Sequence, residues 1–62
     1  MTLREQQIAS MTAAGMKQQA IADKLRLSIK TVETYRMRLY QQHDLHSIAD
    51  LTRWWLTEGG KA

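Results

Sequence analysis

The chain has 62 residues and a mass of 7.2 kDa, which leaves room for one domain over residues 1–62 with a small core. It contains no cysteine, so neither a disulfide nor a thiolate metal site holds the fold. The formal charge of +3 is a mild excess that fits nucleic acid, an acidic protein partner or no particular partner. With no membrane-spanning stretch and no export signal at the N-terminus, we expect a cytoplasmic protein with no membrane contact.

The pattern of residues predicts an all-α domain of four helices. Proline is absent, glycine occurs only at positions 15, 59 and 60, and no segment alternates with the period of two of a half-buried strand. Helix one is predicted from Leu3 to Ala14, after a capping box formed by Thr2 and Glu5, and Gly15 ends it. Its inner stripe is predicted to contain Leu3, Ile8, Met11 and Thr12.

Helices two and three are predicted on either side of a tight turn. Helix two fits Gln18 to Leu25, with a poorly capped start and a narrow apolar side. Arg26 and Leu27 form the turn, and Ser28 caps a third helix that runs to Gln42. The inward residues of the two helices are predicted to be Ile21, Ala22, Leu25, Val32, Tyr35 and Leu39, with Tyr40 as a further candidate.

Helix four is predicted after a break in the pattern from His43 to His46. Ser47 begins it, with Asp50 in the place that Glu or Gln usually takes in a capping box. Gly59 and Gly60 end this helix and lead into a short mobile tail.

The positive charge lies in the middle of the chain. The segment 15–42 carries six basic and two acidic residues, whereas the rest of the chain is slightly acidic. Two helices joined by a tight turn, the second with a hydroxyl cap and a polar outer side, form the arrangement that places a helix in the major groove. On helix three, the outer face consists of residues with helical spacing, Lys30, Glu33, Thr34, Met37, Arg38 and Gln41.

Base-reading candidates on this outer face follow from the chemistry of base edges. Glu33 can accept from a cytosine amino group, Thr34 can contact a thymine methyl, and Met37 can make apolar contact. Lys30 and Arg38 suit guanine or phosphate. The candidates for contact with the DNA backbone are Lys17, Lys24, Arg26, Ser28, Thr31 and Arg36. Taken alone, such a face is more often an ordinary solvated surface.

Several motifs resemble the LuxR/GerE-type helix-turn-helix domain over nearly the entire chain. They are Thr2-x-Arg4-Glu5, Gly15, Ile21-Ala22-x-x-Leu25, Ser28-x-Lys30-Thr31-Val32-Glu33, Arg36 and Leu51. The resemblance implies the C-terminal output domain of a response regulator or quorum-sensing activator, with helix three reading double-stranded DNA. It places base contacts on Glu33, Thr34 and Met37, and phosphate contacts on Lys30, Thr31 and their neighbours.

The resemblance also implies a homodimer on DNA through helix four, for which the candidates are Leu51, Trp54 and Trp55. Adjacent tryptophans on a helix point about 100° apart, so we expect one of them to meet a partner. The alternative is that both indoles enlarge a sparse core.

The chain departs from the family pattern at a few positions. Lys17 and Ala20 replace the usual hydroxyl cap and Glu of helix two, which predicts a helix start that frays readily. Tyr35 stands where the family has His, and His43 where a core Leu is usual, so helix three either ends early or gives the imidazole a polar partner. Trp55 replaces a small residue.

An enzyme is not expected, because no catalytic group of side chains or phosphate-binding loop can be assembled. No metal or other cofactor is expected, since His43, Asp44 and His46 fit a solvated turn better than a zinc site. The alternative function is a protein-interaction module that binds another regulator or RNA polymerase through Trp54 and Trp55. A sigma-factor region-four domain is a related fold that fits the motifs less well.

Overall fold

Four α-helices make up the part of the chain that the computed structural model describes, residues 2–59, and no strand occurs in this part. The helices are α1 (Leu3–Ala13), α2 (Gln18–Leu25), α3 (Ile29–Gln42) and α4 (Ile48–Thr57). The all-α prediction is confirmed. None of these helices is both long and apolar enough to cross a bilayer. The predicted helix end at Gly60 and the tail after it lie outside the described residues.

Local capping chemistry sets where three of the helices begin. The Thr2 hydroxyl accepts a hydrogen bond from the Glu5 backbone N–H, and the Glu5 carboxylate accepts one from the Thr2 backbone N–H, so the predicted capping box is present. Ser28 and Ser47 cap α3 and α4 in the same way, each through a hydroxyl that accepts from a backbone N–H three residues later. These caps satisfy amides that have no acceptor within the helix.

The start of α2 has no such cap. Lys17 occupies the cap position with extended backbone and makes no side-chain hydrogen bond to the helix. At the other end, Arg26 adopts a left-handed conformation with φ of 58°, which stops α2 and turns the chain toward α3. Gly15, with φ of 91°, turns the chain after α1 as predicted.

The core consists of two clusters that meet on α1. The first contains Ile8, Ile21, Ala22 and Val32, and it joins α1 to α2 and α3. The second contains Ala9, Leu39 and Leu51, and it joins α1 to α3 and α4. Because Ile8 and Ala9 are neighbours in sequence, adjacent sides of α1 serve the two clusters, and α4 packs chiefly against α1.

The predicted inner stripe of α1 is wrong at its first residue. Leu3 is 71% exposed, whereas Ala9, which the prediction omitted, is fully buried. Leu3 lies five residues before Ile8, which is about 140° around the helix axis, so the two side chains cannot face the same core. Ile8 and Thr12, four residues apart, are both buried as predicted.

Candidate nucleic-acid interface

The outer face of α3 is exposed along its whole length. Lys30, Glu33, Thr34, Met37, Arg38 and Gln41 are all exposed. On the opposite side of the helix, Val32 and Leu39 are fully buried, which fixes the rotation of α3 about its axis. Met37 is 58% exposed, so its thioether is accessible to a partner. The structure therefore brings the predicted base-reading residues together on one accessible surface.

Two contacts orient side chains on the outer face. The Thr34 hydroxyl donates to the Lys30 carbonyl oxygen at 3.0 Å, which leaves the Thr34 methyl group as the part without a partner. The Arg38 guanidinium lies 6.0 Å from the centroid of the Tyr35 ring, at the limit of a cation–π contact. Within residues 2–59 no Lys or Arg side chain forms a salt bridge with a carboxylate, so the charged groups of the outer face have no salt-bridge partner.

The start of α3 combines hydroxyl groups with free amides. The Ser28 hydroxyl accepts from the Thr31 backbone N–H at 3.1 Å, and the two hydroxyl oxygens lie 2.8 Å apart. The amides of Ile29 and Lys30 precede the first hydrogen bond within the helix, which Val32 makes to Ser28. Donors of this kind, at the positive end of a helix dipole, suit an anionic oxygen.

Three of the predicted phosphate contacts lie on α2 and its ends. Lys17 precedes the helix, Lys24 lies in its last turn, and Arg26 follows it. All three side chains are exposed. They place positive charge next to α3. Clustered positive charge of this kind favours the binding of a polyanion.

Arg36 does not join this surface. It is only 9% exposed, and its Nη2 donates to the Tyr40 hydroxyl at 3.0 Å, with the guanidinium 5.9 Å from the Tyr40 ring centroid. The positive charge of Arg36 predicts a contact with the DNA backbone, but its burial does not favour that contact. Arg36 lies four residues after Val32 and three before Leu39, so the helical period places it on the buried side of α3.

A comparison with known protein families identifies the family of this chain. The family described as bacterial regulatory proteins, luxR family, matches residues 1–55. The chain belongs to this family. The resemblance that the sequence motifs indicated is confirmed, and the molecule is a helix-turn-helix domain of the class that binds DNA and regulates transcription.

Relatives of this luxR-family domain are bacterial response regulators. The response regulator GacA of Pseudomonas protegens is 49% identical over 49 residues, which cover 79% of this chain and 23% of that protein. The response regulator UvrY of Escherichia coli is 41% identical over 49 residues, covering 79% and 22%. The uncharacterized response regulatory protein YgeK of Escherichia coli is 40% identical over 53 residues, covering 86% and 36%. No solved structure gives a significant match.

The last helix of the luxR-family domain presents a mixed surface. Leu51 is fully buried in the second core cluster and offers no surface to another chain. Trp54 and Trp55 are both half-buried against that cluster, with ring centroids 6.2 Å apart, so neither indole is fully enclosed. The most exposed apolar side chains of α4 are Ile48, at 53%, and Leu56, at 72%.

The turn before α4 contains His43, Asp44 and His46, the cluster with the side chains of candidate metal ligands. His46 Nε2 lies 3.2 Å from an Asp44 carboxylate oxygen, and both side chains are largely exposed. His43 faces elsewhere, because its ring stacks on Trp54. Within residues 2–59, no three His, Cys, Asp or Glu side chains are placed to hold a metal ion.

Proposed function

We propose that this chain reads specific sequences of double-stranded DNA with α3 in the major groove and thereby regulates bacterial transcription. The observation that carries the proposal is the outer face of α3, where acceptor, methyl, thioether and cationic groups are exposed together on one side of a capped helix. A major groove admits one α-helix, and these groups match the donors, acceptors and methyl groups of base edges.

Within this proposal the side chains of the outer face have different tasks. Glu33 accepts from a cytosine amino group, and the Thr34 methyl and the Met37 thioether meet apolar base edges such as thymine methyl groups. Lys30 and Arg38, both without an acidic partner among the described residues, bind guanine or phosphate. Several such contacts give discrimination between sequences that a basic surface alone does not give.

The surrounding basic residues hold the backbone of the same duplex. Lys17, Lys24 and Arg26 are exposed around α2, and the free amides at the start of α3 lie beside the hydroxyls of Ser28 and Thr31. These groups bind phosphates and so fix the register of α3 in the groove. Arg36 is left out of this set because it is buried.

We also propose that the chain pairs with a second copy on DNA through α4. Ile48 and Leu56 supply exposed apolar area, and Trp54 and Trp55 border it with half-exposed indoles. Aromatic and aliphatic groups of this kind are typical of protein interfaces. The same surface suits RNA polymerase or another regulator, which is the alternative function.

The complete protein is proposed to be a response regulator that acts in the cytoplasm, with this chain as its DNA-binding part. The support is the similarity to response regulators, of which the chain covers 22% to 36% of the length.

The experiment is a titration of labelled duplexes with this chain at two salt concentrations. Random-sequence duplexes and duplexes selected from them for binding are compared, and affinity, salt dependence and stoichiometry are read together. We expect steep salt dependence, enrichment of a repeated half-site and two chains per duplex.

A folded chain that binds neither pool at low salt contradicts DNA binding. Equal affinity for both pools contradicts sequence reading, and one chain per selected duplex contradicts pairing on DNA. If RNA polymerase then binds α4 in the absence of DNA, the protein-interaction function replaces the proposed one.

A further inference from the structure

A cavity of about 410 Å³ lies where the connection between α1 and α2 meets α3 and the start of α4. Its wall includes Thr12, Lys17, Gln18 and Arg36. Arg36 points away from the outer face, since it follows Val32 by one helical turn, so the cavity is separate from the proposed base-reading surface.

Two buried polar atoms in this wall have no hydrogen-bond partner, the Thr12 hydroxyl oxygen and Arg36 Nε. Thr12 is 3% exposed and Arg36 is 9% exposed. Buried polar groups are almost always paired, because an unpaired donor loses its hydrogen bond to water without replacement. Two unpaired groups beside one cavity therefore point to a ligand that accepts hydrogen bonds.

The positive charge of Arg36 in this wall also has no acidic partner among the described residues. A guanidinium stays protonated inside a protein, and the bond from Arg36 Nη2 goes to a neutral phenol, that of Tyr40. No carboxylate forms an ion pair with Arg36 within residues 2–59. A buried cation without an anionic partner is unfavourable, so the missing partner is expected to be an anion.

The start of α2 adds donors at the same place. Lys17 and Gln18 line the cavity and are the cap residue and the first residue of this eight-residue helix. No side chain caps α2, and its first turn contains no acidic residue. The positive end of the helix dipole and its free amides are thus unopposed next to the buried guanidinium.

We propose that this cavity binds an oxyanion of the phosphate type. Arg36 Nε and the Thr12 hydroxyl donate from the wall, while the Lys17 ammonium and the first amides of α2 donate from the rim. Thr12 Oγ1 and Arg36 Nε are buried beneath the surface of the cavity, so binding requires a small turn of both side chains toward the anion. The anion is free phosphate or, in an arm that rests on the proposed DNA binding, a backbone phosphate that enters the cavity and is distinct from those bound at the exposed basic residues; both present the same oxygens.

The test is a nuclear magnetic resonance titration of the ¹⁵N-labelled chain with inorganic phosphate, against chloride at equal ionic strength. We expect saturable shifts of the Gln18 and Gln19 amides and of the Arg36 Nε–H signal, with phosphate only. Thr12→Val should weaken phosphate binding roughly fivefold, and Lys17→Gln about threefold. Arg53→Gln, which removes an exposed cation of α4 that does not line the cavity, is the control and should leave the affinity unchanged.

A second arm adds a duplex to the phosphate-loaded chain and identifies the source of the anion. Release of phosphate by the duplex supports a backbone phosphate as the natural occupant, and simultaneous binding of both supports a free oxyanion. The first arm contains no DNA, so it stands even if the proposed DNA binding fails. Equal responses to phosphate and chloride, or unchanged phosphate affinity in both Thr12→Val and Lys17→Gln, would overturn the proposal.

Discussion

The imidazole of His43 stacks on the indole of Trp54, with ring centroids 4.2 Å apart and planes inclined by 29°. His43 is the residue at which α3 ends, and Trp54 lies in the middle of α4. The stack therefore ties the end of the helix that carries the outer face to the last helix. It also packs one face of the His43 ring.

The first prediction concerns this stack. His43→Ala should lower the free energy of unfolding by about 1 kcal/mol, because an offset aromatic pair contributes that much beyond simple burial. Urea denaturation followed by tryptophan fluorescence measures the change. Gln42→Ala, which alters the exposed neighbour, is the control, and equal effects of the two substitutions would show that the stack contributes nothing.

The second prediction concerns Gly59, which is buried against both indoles. A Cβ at this position would lie 2.8 Å from Trp55 Cε3 and 2.9 Å from Trp54 Cη2, so a ring would have to move. Gly59→Ala is expected to cost about 1 to 3 kcal/mol of unfolding free energy, measured by thermal denaturation. Glu58→Ala changes an adjacent exposed residue and should cost much less; a neutral Gly59→Ala would mean that the indoles are loosely packed.

The third prediction separates strain from charge at Arg26. Its φ of 58° is unfavourable for a residue with a Cβ, so Arg26→Gly should raise the free energy of unfolding by up to about 1 kcal/mol. The same substitution removes a cation from the proposed backbone contacts and should weaken DNA binding. Arg26→Ala removes the charge and keeps the strain.

Both Arg26 variants should therefore bind DNA equally, whereas only the glycine variant should gain stability in circular dichroism melting curves. An alanine variant that is as stable as the glycine variant would contradict a strained backbone at this residue.

The fourth prediction distinguishes base contacts from backbone contacts. Thr34→Ala or Met37→Ala should reduce discrimination between matched and mismatched duplexes by roughly 1 to 3 kcal/mol, because each removes a contact to a base edge. Lys30→Ala should weaken binding to many sequences. Competition titrations with single-base variants of a selected duplex measure both effects, and the assignment of the outer face is wrong if neither pattern appears.

The fifth prediction tests pairing through α4 with two equally exposed leucines. Leu56 on α4 is 72% exposed and Leu3 on α1 is 71% exposed. Leu56→Gln should lower the number of chains per selected duplex from two to one at moderate protein concentration, because it removes apolar area from the proposed interface. Sedimentation of the complexes gives the stoichiometry, and Leu3→Gln should leave it unchanged. Loss of pairing in both variants would indicate a different interface.

The helices and their starts were predictable from the sequence because capping is local chemistry. Thr2, Ser28 and Ser47 each bond within a few residues of themselves, and the structure confirms all three. The outer face of α3 was predictable for a similar reason, since the helical period alone collects its residues on one side. The missing cap at Lys17 was equally visible.

Other features depend on contacts between distant parts of the chain. Trp54 lies eleven residues after His43, and no periodic pattern relates the two rings. Arg36 was assigned to the surface because charged residues are usually exposed, although its helical position places it with Val32 and Leu39. Leu51 is in the core because α4 lies on α1, an orientation that the pattern of α4 alone does not determine.

The position of α1 between the two core clusters has a consequence for operator geometry. Ile8 packs on the side of α1 that faces α2 and α3, and Ala9 packs on the side that faces α4. In a pair of chains joined through α4, the cluster that Ala9 forms with Leu39 and Leu51 would set the distance between the junction and each reading helix. A larger side chain at Ala9 would then change the preferred distance between DNA half-sites, although that residue contacts neither the duplex nor the second chain.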